Sequence, residues 1–87
     1  MPEETLLDFP CDFPIKVMGR MQPGFAQDVV SIVKKFAPDF DESTVEMRPS
    51  RKKSYLSLTC MINATSREQL DSLYRELCDH PLAVMVL

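Results

Sequence analysis

The run Tyr55-Leu56-Ser57-Leu58-Thr59-Cys60-Met61-Ile62, followed at once by Asn63-Ala64-Thr65-Ser66-Arg67-Glu68-Gln69, decides the architecture. Leu56, Leu58, Cys60 and Ile62 alternate with Tyr55, Ser57, Thr59 and Met61, the two-residue period of a strand with one buried and one open face. On the buried side Cys60 reads as a small hydrophobe. Next comes a capping box, either Thr65 with Glu68 or Ser66 with Gln69, in which a hydroxyl and a longer polar side chain satisfy the first free N–H groups of a helix. Behind the cap, Leu70, Leu73, Tyr74, Leu77 and Cys78 recur at helical spacing and form one apolar stripe. His80-Pro81 ends that helix, and residues 82–87 read as a final, mostly apolar strand.

Towards the N-terminus the punctuation is equally regular. Arg48, Arg51, Lys52 and Lys53 lie in and beside a polar loop that opens with Pro49, placed to join the quoted strand to a shorter one in which Val45 and Met47 alternate with Thr44, Glu46 and Arg48. Residues 39–43 form a polar connection without the glycine and glutamate that a calcium loop requires. Phe25, Val29, Ile32, Val33 and Phe36 make a second helical stripe. It is opened by Pro23-Gly24 and stopped by Pro38, with Asp28 in the first turn and Lys34 and Lys35 in the last, as the helix dipole favours. Ile15 and Val17 alternate with Lys16, Met18 and Arg20 in a first strand. Phe9-Pro10 and Phe13-Pro14 keep the opening segment extended. The expected division is an extended leader over residues 1–12 and a single domain over residues 13–87. The order strand, helix, strand, strand, helix, strand, with right-handed crossovers, predicts an α+β, ferredoxin-like βαββαβ plait: a four-stranded antiparallel sheet with both helices on one face.

Composition narrows the function classes. The chain has 87 residues, 45% of them hydrophobic and 26% charged, which suits one small folded domain. Ten Lys and Arg against thirteen Asp and Glu give a net charge of -3. Without Arg48, Arg51, Lys52 and Lys53, six basic face thirteen acidic side chains, so a local basic cluster sits on an acidic molecule. Cys11, Cys60 and Cys78 are three in number with no Cys-x-x-Cys pair, which predicts reduced thiols in a cytoplasmic protein. The single histidine, His80, completes no zinc set with them. No cofactor and no metal are predicted. Residues 1–8 hold Glu3 and Glu4 and no basic segment of a signal peptide, and no apolar run approaches the length of a membrane span.

Nearly the whole chain resembles the YbeD family of small bacterial proteins. The resemblance rests on Leu7-x-Phe9-Pro10, Lys16-Val17-Met18-Gly19, Ile62-Asn63-Ala64-Thr65, Glu68-Gln69, Leu73-Tyr74-x-Glu76-Leu77 and the terminal Met85-Val86-Leu87. It implies a plait similar to ACT regulatory domains, a bacterial cytoplasmic setting, and a lipoate-regulatory label drawn from gene context. It brings no catalytic residue. The ACT likeness also singles out Met21, Pro23 and Gly24 as ligand-loop candidates. They stand where ACT domains join strand to helix through an Asp-x-Pro-Gly-Leu type loop, with Met21 in place of the aspartate. Pro-Gly is equally ordinary turn chemistry at such a junction.

Three function classes can then be weighed. An RNA-binding sheet needs several stacking rings, whereas Tyr55 stands alone with Ser57 and Cys60 at the other signature positions. An enzyme needs a nucleophile with a base beside it, or a phosphate-binding glycine loop, and neither is present. A regulatory module that binds a small ligand or a partner remains, with a protein–protein adaptor lacking any small ligand as the alternative. Its candidate surfaces are the cations Arg48, Arg51, Lys52 and Lys53, for a partner or an anion, and the open sheet face around Lys16, Met18, Tyr55 and Met61. That face could serve an unknown protein partner or a weak homodimer, with nucleic acid and membrane set aside.

Overall fold

A computed structural model describes residues 9–87. Residues 1–8, most of the expected leader, lie outside the described residues. The chain forms β1 (Cys11–Arg20), α1 (Phe25–Phe36), a 3-10 turn (Glu42–Thr44), β2 (Glu46–Pro49), β3 (Tyr55–Ala64), α2 (Arg67–Cys78) and β4 (Ala83–Val86). The strand order is β2-β3-β1-β4, and every neighbouring pair is antiparallel. This is the predicted plait.

The centre of the sheet is one long ladder. β1 and β3 pair over ten residues, from Cys11 with Ala64 to Arg20 with Tyr55. β1 therefore takes in Cys11 and Asp12, which the sequence reading leaves in the leader. Pro14 has no N–H to donate, but its nitrogen, like that of Lys16 which donates to the Leu87 carbonyl, faces away from β3, so the β1–β3 ladder loses no bond.

Alternation along these strands sends Ile15, Val17, Leu58, Cys60, Ile62 and Ala64 to the helix side, where all six are buried. Phe25, Val29 and Val33 of α1 and Leu70, Leu73 and Leu77 of α2 close over them, with Ala37 and Phe40 from the connection. No polar side chain is buried among the described residues. Cys78 departs from the sequence reading. It lies at the margin of the α2 stripe, in the last turn, and stays exposed.

Two features of the outer strands were not legible. β2 is four residues long and exposed throughout, so Met47, although on the helix side of the sheet, is left uncovered beside α1. β4 carries an irregularity against β1. Met85 pairs with Met18 while Ala83 pairs with Gly19, so Val84 is the extra residue and points into solvent. Paired hydrogen bonds between Lys16 and Leu87 then carry the ladder to the last residue.

Candidate functional site on the open sheet face

With both helices on one side, the other side of the sheet is free. Register places its residues in rows. Lys16 of β1, Thr59 of β3 and Glu46 of β2 stand side by side, and in the next row stand Met85, Met18, Ser57 and Arg48. Arg20 pairs with Tyr55 at one end, and Pro14 with Met61 towards the other. The face thus unites the predicted Lys16, Met18, Tyr55 and Met61 with Arg48. Met61, Tyr55 and Met85 are exposed, and Met18 is half-buried. Met85 and Leu87 belong to the same face and were missed, because a strand apolar at nearly every position gives no alternation from which to read its register.

The basic loop adjoins this face. Ser50 organises it: its hydroxyl accepts from the N–H groups of Ser54 and Tyr55 at 3.1 Å each, and its own N–H donates to the Tyr55 carbonyl at 2.8 Å. Arg51, Lys52 and Lys53 are exposed on the loop, and Lys53 adopts a left-handed φ of 59°.

Charge is distributed unevenly over the molecule. On the helix side Lys34 pairs with Glu42 at 3.0 Å, Lys35 with Glu76 at 2.9 Å and Arg67 with Asp71 at 3.9 Å. Among the described residues, Arg75 on α2 has no ion pair, and neither do six further cations: Lys16, Arg20, Arg48, Arg51, Lys52 and Lys53. These six occupy the open face and its loop.

The ligand-loop candidates lie beside the same loop, and the Met21 N–H donates to the Ser54 carbonyl at 3.0 Å. Gly24 has φ 88°, a left-handed conformation that explains the glycine without a ligand. Phe25, the next residue, is fully buried and packs across Gly19. The protein's own ring therefore fills the corner against Gly19, while Pro23 and Gly24 stay exposed.

His80 is a residue whose contacts the sequence did not reveal. Its Nε2 lies 2.9 Å from Asp28 Oδ2, its Nδ1 accepts from the Leu82 N–H at 3.1 Å, and its ring meets Phe25 edge-on. Both ring nitrogens are thereby engaged, and the histidine ties the end of α2 to the start of α1. Burial pushes the Cys60 thiol up to about 11, which suits a packing role. Cys78 is exposed and Cys11 half-buried. Among the described residues no three His, Cys, Asp or Glu side chains are placed to hold a metal, and no helix is long and apolar enough to cross a membrane.

Comparison with known proteins agrees with the fold. Among curated relatives, the chain is 63% identical over 87 residues to UPF0250 protein NE1487 of Nitrosomonas europaea, covering all of both chains. It is 57% identical over 86 residues to a UPF0250 protein of Bordetella pertussis, covering 99% of this chain and 94% of the relative. The solution structure of HP0495 from H. pylori superposes with a TM-score of 0.75 at 11% identity, over 93% of this chain and 85% of that one. The ACT domain from the GTP pyrophosphokinase of Chlorobium tepidum superposes with a TM-score of 0.65 at 19% identity, over 88% and 97%. The ACT likeness thus extends to three dimensions. Residues 4–87 match the family model described as a protein of unknown function, DUF493, and the chain belongs to that family, the one to which its YbeD resemblance points.

Proposed function

We propose that this chain is a cytoplasmic regulatory module that works by docking rather than by catalysis, and that its open sheet face and basic loop receive an acidic partner protein. The observation that carries this reading is the segregation of charge. The helix side pairs Lys34, Lys35 and Arg67 internally and leaves only Arg75 without an ion pair, whereas six cations around the open face have none among the described residues. Met18, Met61, Met85 and Tyr55 add apolar contact between those cations. Such a mixture gives steering by charge and holding by burial.

A homodimer through this face is disfavoured by symmetry. A two-fold contact sets the same patch against itself, and here that would oppose six cations to the same six, with only Glu46 and, beyond Pro14, Asp12 as acids on the face among the described residues. The family's lipoate label makes proteins of lipoate metabolism the first partners to assay. The test compares capture by the wild-type chain and by the Arg51→Ser, Lys52→Ser, Lys53→Ser triple variant at low and high salt. Capture of a specific acidic protein should fall at least tenfold in the variant and fade as the Debye length shortens. Equal capture by both chains, or capture indifferent to salt, would overturn the reading.

A further inference from the structure

The larger groove of the molecule, about 390 Å³ between α1 and β2, has its charges already matched, since Lys34 and Glu42 at its edge pair with each other. A smaller depression does not. On the open face a hollow of about 180 Å³ is lined by Lys16, Glu46, Arg48, Ser57 and Thr59. Register explains its shape. Ser57 and Thr59 lie two apart on β3 and form the floor, both half-buried. Lys16 rises from β1 beside Thr59, and Glu46 and Arg48 rise from β2 beside Thr59 and Ser57.

None of these five side chains has a hydrogen-bond or ion-pair partner among the described residues. At several other places polar side chains that lie together are matched: Asp28 with His80, Lys35 with Glu76, Gln69 with Thr65 and with the Phe36 carbonyl. The hollow therefore brings together donors that no protein acceptor engages: an ammonium, a guanidinium and two hydroxyls. Its one carboxylate, Glu46, is not within ion-pair distance of either cation.

We propose that this hollow binds a small organic carboxylate carrying a hydrogen-bond donor on the adjacent carbon, that is, a short 2-hydroxy or 2-amino acid. Lys16 and Arg48 hold the carboxylate, with the planar guanidinium suited to its two oxygens. The Ser57 and Thr59 hydroxyls complete its shell from below. Glu46 accepts from the ligand's hydroxyl or amine and repels a second anionic group, so dicarboxylates and phosphate dianion fit less well. The volume is sufficient, because 180 Å³ equals about six waters of liquid, more than the five heavy atoms of glycolate or glycine need. The inference shares with the docking proposal the face and two of its cations, Lys16 and Arg48, but its readout involves no partner.

The test is amide NMR titration of the full ¹⁵N-labelled chain with glycolate, glycine, acetate and inorganic phosphate at constant ionic strength. Saturable shifts centred on Lys16, Arg48, Ser57 and Thr59 are expected with glycolate or glycine, at least threefold tighter than with acetate or phosphate. Arg48→Gln should weaken binding tenfold or more while the rest of the spectrum stays in place. Glu46→Gln should remove the advantage over acetate. The loop triple variant should bind within twofold of wild type, so a failed hollow and a failed docking loop appear in different experiments. Shifts that never saturate, shifts centred on residues 51–53, or equal affinity for acetate and glycolate would overturn the proposal.

Discussion

The plait contains two strand-to-helix junctions, and they are built in opposite ways. Between β3 and α2, Ser66 caps the helix through its hydroxyl, which accepts from the Gln69 N–H at 3.0 Å. Gln69 reaches back to accept from the Thr65 N–H at 2.7 Å, and its amide donates to the Phe36 carbonyl at the end of α1, also at 2.7 Å. Between β1 and α1 no side chain caps the helix. Gly24 turns the chain, and Phe25 seals the corner against Gly19, with His80, Asp28 and Leu82 converging on it from distant parts of the sequence. One junction is held by neighbours in sequence and the other by neighbours in space. Phe25 closes this corner behind the Pro23-Gly24 turn, and the turn itself stays exposed on its outer side.

The sharpest way to break the spatial junction is Gly19→Ala. An added Cβ would lie inside the edge of the Phe25 ring and 2.6 Å from the Leu82 carbonyl oxygen. Neither neighbour can yield cheaply, since the ring is fully buried and the carbonyl accepts from the Arg20 N–H at 2.9 Å. Overpacking of this kind should cost about 3 kcal/mol, a drop of roughly 15 °C in the thermal midpoint of a domain this size. A calorimetric loss below ~1 kcal/mol would mean that the corner is loosely packed, and would reopen it to a ligand.

Gln69→Ala tests the local junction and should cost less, about 1–2 kcal/mol, because hydrogen bonds at half-exposed groups are partly replaced by water. It strips the Thr65 N–H and the Phe36 carbonyl of their partner while leaving the Ser66 cap in place. Urea unfolding measures it. A cost equal to or above that of Gly19→Ala would reverse the ranking of the two junctions.

This contrast also explains what could be read in advance. The β3 alternation, both helical stripes and the Ser66–Gln69 register of the cap are periodic or adjacent features, so the sequence displays them directly. Even there, the box closes one residue back, on Thr65 rather than on the cap residue itself, and the bond from Gln69 to Phe36 spans 33 positions. The role of His80 was hidden for the same reason, since Asp28 lies 52 residues away. Met85 and Leu87 escaped the reading of the open face because β4 is apolar at nearly every position and its irregular residue, Val84, resets the register. Of the hollow, Arg48 and Lys16 were separately legible as cations. Their convergence on Ser57 and Thr59 needs the strand order β2-β3-β1, which sets β1 beside the consecutive strands β2 and β3.

The smallest expected effect comes from the basic loop, which leans on the spatial junction. That contact is made by backbone, from the Met21 N–H to the Ser54 carbonyl, and the loop's internal bonds all involve Ser50. The side chains of Arg51, Lys52 and Lys53 take no part in it, and all three are exposed. Changing all three to Ser should therefore shift stability by no more than ~0.5 kcal/mol. Lys53 contributes little to that shift, because serine inherits a left-handed φ of 59° that lysine already tolerates. A loss above ~1 kcal/mol in urea unfolding would show that the cations brace the corner beside Met21. The loop would then belong to the architecture of the first junction, and the charge set apart on this side of the sheet would lose its simplest reading as a surface kept free for a partner.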